Sequence, residues 1–210
     1  MKLYSRWRNS AGERVRIALN LKGIAYEYVP SSSLPPGEYR RINPQGLLPT
    51  LEVGGRFIAQ SGAILEYIEE TFPDPPLLPA DPVLRAEARA FGAHVAAEMH
   101  AINVDRVRKY LAAEFGADEA GQARWVDHWL TVGFTALEAT LARREIAWPF
   151  CFGDTPGWAD LHLVPQIGNA RRFAVDLAPY PLLMAVEARC AELPAFQNAR
   201  PEAQSDAPKA

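Results

Sequence analysis

The stretch FPDPPLLPADP, residues 72–82, constrains this chain more than any other. Five of its eleven residues are proline. Proline has no N–H to donate and a fixed φ, so no helix or strand is expected to run through the segment. It reads as a stiff spacer between two folding units. A chain of 210 residues is long enough for two modest domains. At 49% hydrophobic residues, each can bury a core.

Before the spacer, strand and helix signals alternate. MKLY (1–4) and YEYV (26–29) read as short strands. Between them, Gly12 to Leu21 places Val15, Ala18 and Leu19 at helical spacing, with Ile17 and Leu21 widening the stripe and Gly23 as a terminator. PSSSLPPGEYRRINP (30–44) holds four prolines and supports at most a short helix. TLEV, GG and RFIA (50–59) form a strand, a two-residue turn and a strand. A helix then opens at Ser61, carries Ile64, Leu65 and Ile68 on one face, and ends near Phe72. The order is β-α-β-(α)-β-β-α.

After the spacer, every strong pattern is helical, over 83–113, 123–144, 158–173 and 182–193. The expected divisions are an α/β domain over 1–73, the spacer over 74–82, and an all-α domain over 83–200. The tail, 201–210, is rich in Pro, Ala and charge and is expected to fray.

Charge and cysteine usage exclude several classes. A net charge of −3 gives no electrostatic footprint for nucleic acid or an anionic membrane. No run approaches the roughly 18 apolar residues of a membrane span. Lys2, Arg6 and Arg8 fall where a secretory leader would be apolar. Cys151 and Cys190 fit no metal-ligand spacing and do not read as a disulfide framework, so no metal and a reducing cytoplasm are expected.

Three polar features lie in the first domain. Asn9 and Ser10 occupy the turn between the first strand and helix, flanked by Arg8 and Arg14. A helix N-terminus there favours an anion, a thiolate included, although a structural cap alone would account for both residues. Gln60 and Ser61 occupy a second strand-to-helix turn. Ser61 reads as an N-cap, and the free N–H groups beside it suit a carboxylate. Pro49 directly precedes a strand. It marks a bend, of the kind a cis bond makes, that would expose the Leu48 backbone to an extended peptide-like ligand. In the second domain, His100 lies in the first long helix, where a lone histidine is more often structural. Arg171 and Arg172 form a pair that usually marks a solvated face. Pro156 and Asp160 suit a helix start.

Taken together, RVRIALNLKGIAYEY, INPQGLLPTL, QSGAILEYIEE, LLPADP, GDTPGWADLHLVPQ and ARRFAVDLAPYPLL resemble the zeta class of glutathione S-transferases over essentially the whole chain. The resemblance implies a thioredoxin-like N-terminal domain, an all-helical C-terminal domain, a homodimer, and glutathione as the cofactor. It implies glutathione-dependent cis–trans isomerisation of a diketo-acid, maleylacetoacetate or maleylpyruvate, in the breakdown of aromatic compounds. Leu48 and Pro49 would hold the glutathione cysteine through backbone, Gln60 and Ser61 its γ-glutamyl end, and Gln45 its glycyl end. His100 matches a helix position that reaches glutathione in some members. Arg8 and Arg172 match arginines associated with the acidic substrate.

The chain departs from the class in places. The signature Ser-Ser-Cys is here Asn9, Ser10 and Ala11, so either Asn9 or Ser10 is the candidate donor to the thiolate. Glu13 stands where bacterial relatives often carry His or Trp, and Val104 and Asp105 replace polar and basic residues. A general glutathione transferase or haloacid dehalogenase acting on small acids is the alternative activity, and a glutathione-binding protein without turnover the alternative class.

Overall fold

The computed structural model describes residues 1–209. It divides into two compact units. One comprises Met1–Leu77 joined by the chain from Ala191 onward, the other Leu78–Cys190.

The first unit is built on a four-stranded sheet of order β2-β1-β3-β4, with β1 (Lys2–Ser5), β2 (Glu27–Pro30), β3 (Thr50–Val53) and β4 (Arg56–Ala59). β1 and β2 run parallel, so the link between them must cross over the sheet, and α1 (Ser10–Leu21) provides that crossover. β3 is antiparallel to both β1 and β4. The β3–β4 hairpin turns on Gly54 and Gly55, with φ of 56° and 78°. Two successive positive φ values define the turn whose twist matches paired strands, and only glycine adopts both at no steric cost. A short α2 (Glu38–Ile42) precedes β3, and α3 (Ser61–Thr71) follows β4. Leu3, Val15, Leu19, Leu51, Ile64 and Ile68 are fully buried and form the core between sheet and helices.

The fold departs from the sequence expectations at two points here. α1 has no solvent face: Ala11 through Leu19 are all buried, including Glu13, Arg14 and Arg16. The C-terminal segment covers the face that periodicity assigned to water, and the tail expected to fray from 201 is fastened at Asp206, whose carboxylate accepts from the Trp7 N–H at 3.0 Å. The Arg16 Nε–H donates to the Ala199 carbonyl at 2.9 Å and the Asn20 amide to the Ala195 carbonyl at 2.9 Å. α10 (Pro194–Gln197) lies in this segment.

Part of the proline-rich spacer is anchored to the same unit. The buried Lys22 ammonium donates to the carbonyls of Phe72 (2.6 Å) and Pro75 (2.7 Å) and pairs with Glu69 at 2.8 Å.

The second unit is helical: α4 (Pro82–Ala93), a π-helical stretch (His94–His100), α5 (Ala101–Asn103), α6 (Asp105–Phe115), α7 (Glu119–Ala142), α8 (Trp158–Arg172) and α9 (Pro181–Ala191, whose last residue belongs to the other unit). The helix read as continuous over 83–113 breaks at Val104, whose ψ of 159° is extended. Close packing accompanies the irregularity. A Cβ on Gly133 of α7 would sit 2.4 Å from Cγ of Met99, and one on Gly92 would sit 2.7 Å from Nε1 of Trp158. α8 starts as Asp160 suggested: its carboxylate accepts from the N–H groups of Gly157 (2.8 Å) and Cys151 (2.9 Å).

Candidate functional site

Strand register brings the three polar features of the first unit to one end of the sheet. Tyr4 pairs with Thr50, and Thr50 with Ala59. The turn leaving β1, the bend entering β3 and the turn leaving β4 therefore emerge side by side. Two direct contacts support this. The Arg14 Nη1–H donates to the Ser61 hydroxyl at 3.4 Å, tying α1 to the start of α3. The Gln60 Nε2–H donates to Gln45 Oε1 at 2.7 Å, tying the β4 turn to the loop before β3.

At the first turn, Asn9 is the N-cap of α1: its backbone is extended, and its Oδ1 accepts from the Gly12 N–H at 2.6 Å. Ser10 is the first helical residue and is half-buried. Arg8 is exposed, with its guanidinium carbon 4.8 Å above the Trp7 ring.

At the bend, the Leu48–Pro49 peptide is cis. The β3 ladder begins at Thr50, so the Leu48 N–H and C=O take no place in the sheet. The loop before it is fastened from behind, by hydrogen bonds from the Tyr39 hydroxyl (2.8 Å) and the Asn43 amide (2.7 Å) to the Leu47 carbonyl.

The third feature corrects an expectation. Ser61 is not the cap of α3. Gln60 is, with φ at +73° and no side-chain capping bond, and Ser61 is the first helical residue, 7% exposed. A non-glycine residue at positive φ is uncommon and is tolerated where the surroundings fix it, often at ligand sites.

Arg14 was legible in sequence only as one more polar residue of the opening stretch. It is 1% exposed, and its Nε and Nη2 have no hydrogen-bond partner in the protein. Burial lowers its pKa to about 10, so it still carries its charge at neutral pH. A buried cation bonded to Ser61 favours a negative group at that serine.

In the second unit, His100 ends the π-helical stretch and is half-buried. Arg171 and Arg172, read as one pair, part company. Arg171 forms a two-point ion pair with Glu187, at 2.6 and 2.9 Å. Arg172, the last residue of α8, is exposed and lies 4.5 Å over the Phe173 ring. Arg108 lies 4.9 Å from the same ring and pairs with Asp105. Sequence reasoning missed it, although its i,i+3 spacing from Asp105 was a usable signal.

Neither cysteine is a candidate nucleophile. Both are buried and unpaired, and burial pushes both thiols up. Among the described residues, no cluster of His, Cys, Asp or Glu suits a metal ion, and no helix is long and apolar enough to cross a membrane. A nucleophilic sulfur at this site would have to arrive with a ligand.

Residues 6–76 match the glutathione S-transferase N-terminal domain family. The chain is 48% identical to a maleylpyruvate isomerase of Ralstonia, covering 98% of this chain and 99% of that protein. It is 40% identical to a maleylacetoacetate isomerase of Pseudomonas aeruginosa over the full length of both. Among solved structures, it superposes at a TM-score of 0.95, with 47% identity, on a holo maleylpyruvate isomerase described as a bacterial zeta-class glutathione S-transferase, covering 99% of this chain and 100% of that one. It superposes at 0.93, with 38% identity and full coverage of both chains, on a maleylacetoacetate isomerase of Methylobacterium extorquens AM1 with malonate and glutathione bound.

Proposed function

Because this chain belongs to the zeta class of the glutathione S-transferase family, we propose that it catalyses glutathione-dependent cis–trans isomerisation of a maleyl diketo-acid, maleylacetoacetate or maleylpyruvate. The observation that carries this reading is the register Tyr4–Thr50–Ala59, which gathers two helix N-termini and one bend with unpaired backbone at a single end of the sheet.

These residues fit glutathione. The Leu48 N–H and C=O suit the cysteinyl backbone, as an added strand. Ser61, the α3 N-terminus and buried Arg14 suit the γ-glutamyl carboxylate, with Gln60 beside them. Gln45 serves the glycyl end, and His100 is a further candidate contact. Bound glutathione supplies a thiolate that adds to the conjugated cis double bond, leaves a rotatable single bond, and is expelled to give the trans isomer.

The chain's own task is to hold charge. The α1 N-terminus and one side-chain donor, Asn9 or Ser10, stabilise the sulfur anion. Lowering a thiol pKa from about 9 to about 6.5 requires roughly 3 kcal/mol, within reach of a helix terminus and one charge-assisted hydrogen bond. Arg8 and Arg172 are each assigned to a substrate carboxylate, which a guanidinium grips by two parallel bonds. A dimer in a cytoplasmic setting completes the proposal, consistent with two reduced cysteines.

The test is maleylacetone turnover with glutathione at catalytic concentration. An isomerase consumes the cis substrate while free thiol stays constant. A transferase consumes thiol in step with substrate, and a binding protein does neither; either result refutes the isomerase reading. Arg172→Leu should raise KM for maleylacetone, and an unchanged KM removes Arg172 from the site.

A further inference from the structure

We infer that Asp206, near the C-terminus, is a positioning residue for the thiolate-holding turn. Its carboxylate makes two hydrogen bonds. Oδ2 accepts from the Trp7 backbone N–H at 3.0 Å, and Oδ1 accepts from the Tyr28 hydroxyl at 2.9 Å. Trp7 precedes Arg8, Asn9 and Ser10, and its ring underlies the Arg8 guanidinium. The Trp7 carbonyl is held as well: Arg16 Nη2 donates to it at 3.3 Å, while Arg16 Nε reaches the Ala199 carbonyl. Both polar groups of the Trp7 peptide are therefore fixed, one by the C-terminal segment itself and the other by an arginine that the segment holds.

The rest of the network keeps Asp206 where it is. The Arg16 guanidinium lies 5.9 Å over the Tyr28 ring, and its charge attracts Asp206. β2, which carries Tyr28, pairs with β1, which leads into Trp7. The carboxylate thus bridges β2 and the segment that leads from the end of β1 to α1. A helix N-terminus stabilises charge only within its first turn, so displacement of the Trp7–Ser10 segment weakens the hold on sulfur before it affects the γ-glutamyl contacts on the neighbouring turn at Gln60 and Ser61. The turn's precision then depends on a residue 199 positions away in sequence, in a segment that carries no side chain for the chemistry itself.

This inference rests on the thiolate-holding role proposed for the turn, and the experiment separates the two. The full chain is prepared as wild type, Asp206→Ala, Asp206→Asn, Tyr28→Phe, Asn9→Ala and Ser10→Ala. Hydrogen exchange of the residue 5–11 segment without ligand reads the tether alone. Ultraviolet titration of bound glutathione reads the thiolate. Affinity for S-methylglutathione, which has no ionisable thiol, reads the remainder of the site.

Asp206→Ala should speed exchange in that segment, raise the thiolate pKa, and lower kcat on the order of tenfold, the scale expected of small misplacement. S-methylglutathione affinity should stay within about twofold. Asparagine keeps an acceptor for Trp7 and a donor for Tyr28, so Asp206→Asn should recover most of the loss. Tyr28→Phe, which keeps the ring and leaves the carboxylate one partner, should shift the same readouts less and in the same direction. It carries the test if Asp206→Ala does not fold.

Unchanged exchange and thiolate pKa in Asp206→Ala, while Asn9→Ala or Ser10→Ala moves the pKa, would overturn the inference. So would a parallel loss of S-methylglutathione affinity and thermal midpoint that Asp206→Asn does not recover, which would make Asp206 merely structural. If neither Asn9→Ala nor Ser10→Ala moves the pKa, the side-chain donor role fails, and the exchange result decides the tether by itself.

Discussion

Glu13 offers a direct test of how α1 is buried. The residue is 6% exposed, with Arg14 and Arg16 of its own helix and Arg200 and Glu202 of the C-terminal segment near its carboxyl. Burial is the main cause that pushes the carboxyl's pKa from an ordinary 4.5 to about 7, against the lowering pull of Arg16, Arg200 and Arg14. The folded chain therefore binds this proton more tightly than the unfolded chain does. The associated stability is fully present below about pH 4.5, falls as pH rises, and is lost above about pH 7. Ionising Glu13 in place costs about 3 kcal/mol. Glu13→Gln keeps the size and removes the charge, so it should be more stable than wild type by about that amount at pH 8 and nearly equal to it below pH 5. For a chain of this length, that is roughly 6–12 °C in thermal midpoint. Scanning calorimetry of both proteins from pH 4.5 to 8.5 measures the gap. A gap that does not change with pH, or a Gln variant that melts lower at pH 8, would refute the reasoning: Glu13 would then be ionised and stabilised by Arg16 and Arg200.

Two further outcomes follow from packing. Gly12→Ala would put a Cβ 2.1 Å from the buried Ser5 hydroxyl and 2.8 Å from Asn9 Oδ1, costing about 1–3 kcal/mol in urea unfolding; adding Ser5→Ala should return part of that loss. Asp160→Ala strips the acceptor from the Cys151 and Gly157 N–H groups, costing about 2–4 kcal/mol, with Asp160→Asn intermediate and the thermal midpoint as the readout.

What was legible in the sequence was what depends on neighbours along the chain. The Gly54–Gly55 hairpin and the α3 stripe of Ile64, Leu65 and Ile68 need only local period and turn chemistry, and both formed as read. The residue types at the site were legible for the same reason: Asn9, Ser10, Gln60 and Pro49 stand at junctions where a strand begins or ends. Their geometry was not. Which residue caps α3 depends on the positive φ of Gln60, which no residue-type preference predicts. The burial of Glu13 and Arg16 depends on a covering segment 183 residues from Arg16, and Arg14 is tied to Ser61 of α3, 47 residues away. Periodicity assigns charged positions to solvent because it sees one helix at a time. The close approach of Gly133 to Met99 likewise joins parts of the chain that no window spans.

The polar turn between β1 and α1 joins a structural task to a chemical one, and its two central residues should separate under mutation. Asn9 spends its side-chain oxygen on the Gly12 N–H. That satisfies one of the orphan donors of the helix start, worth about 1 kcal/mol. Its amide nitrogen projects from the same planar group, so its direction is dictated by the cap rather than by a ligand. Ser10 begins the helix and carries a hydroxyl that turns about one bond, at the place where the terminus is most positive. The division expected is therefore Asn9 for the helix and Ser10 for the sulfur. Asn9→Ala should lower the thermal midpoint by about 2–4 °C and leave the pKa of bound glutathione nearly unchanged. Ser10→Ala should do the reverse, raising that pKa by roughly one to two, the equivalent of a hydrogen bond to a charged group, with little change in the midpoint. If Asn9→Ala raises the pKa as far as Ser10→Ala does, the amide is itself a donor to sulfur and the division fails.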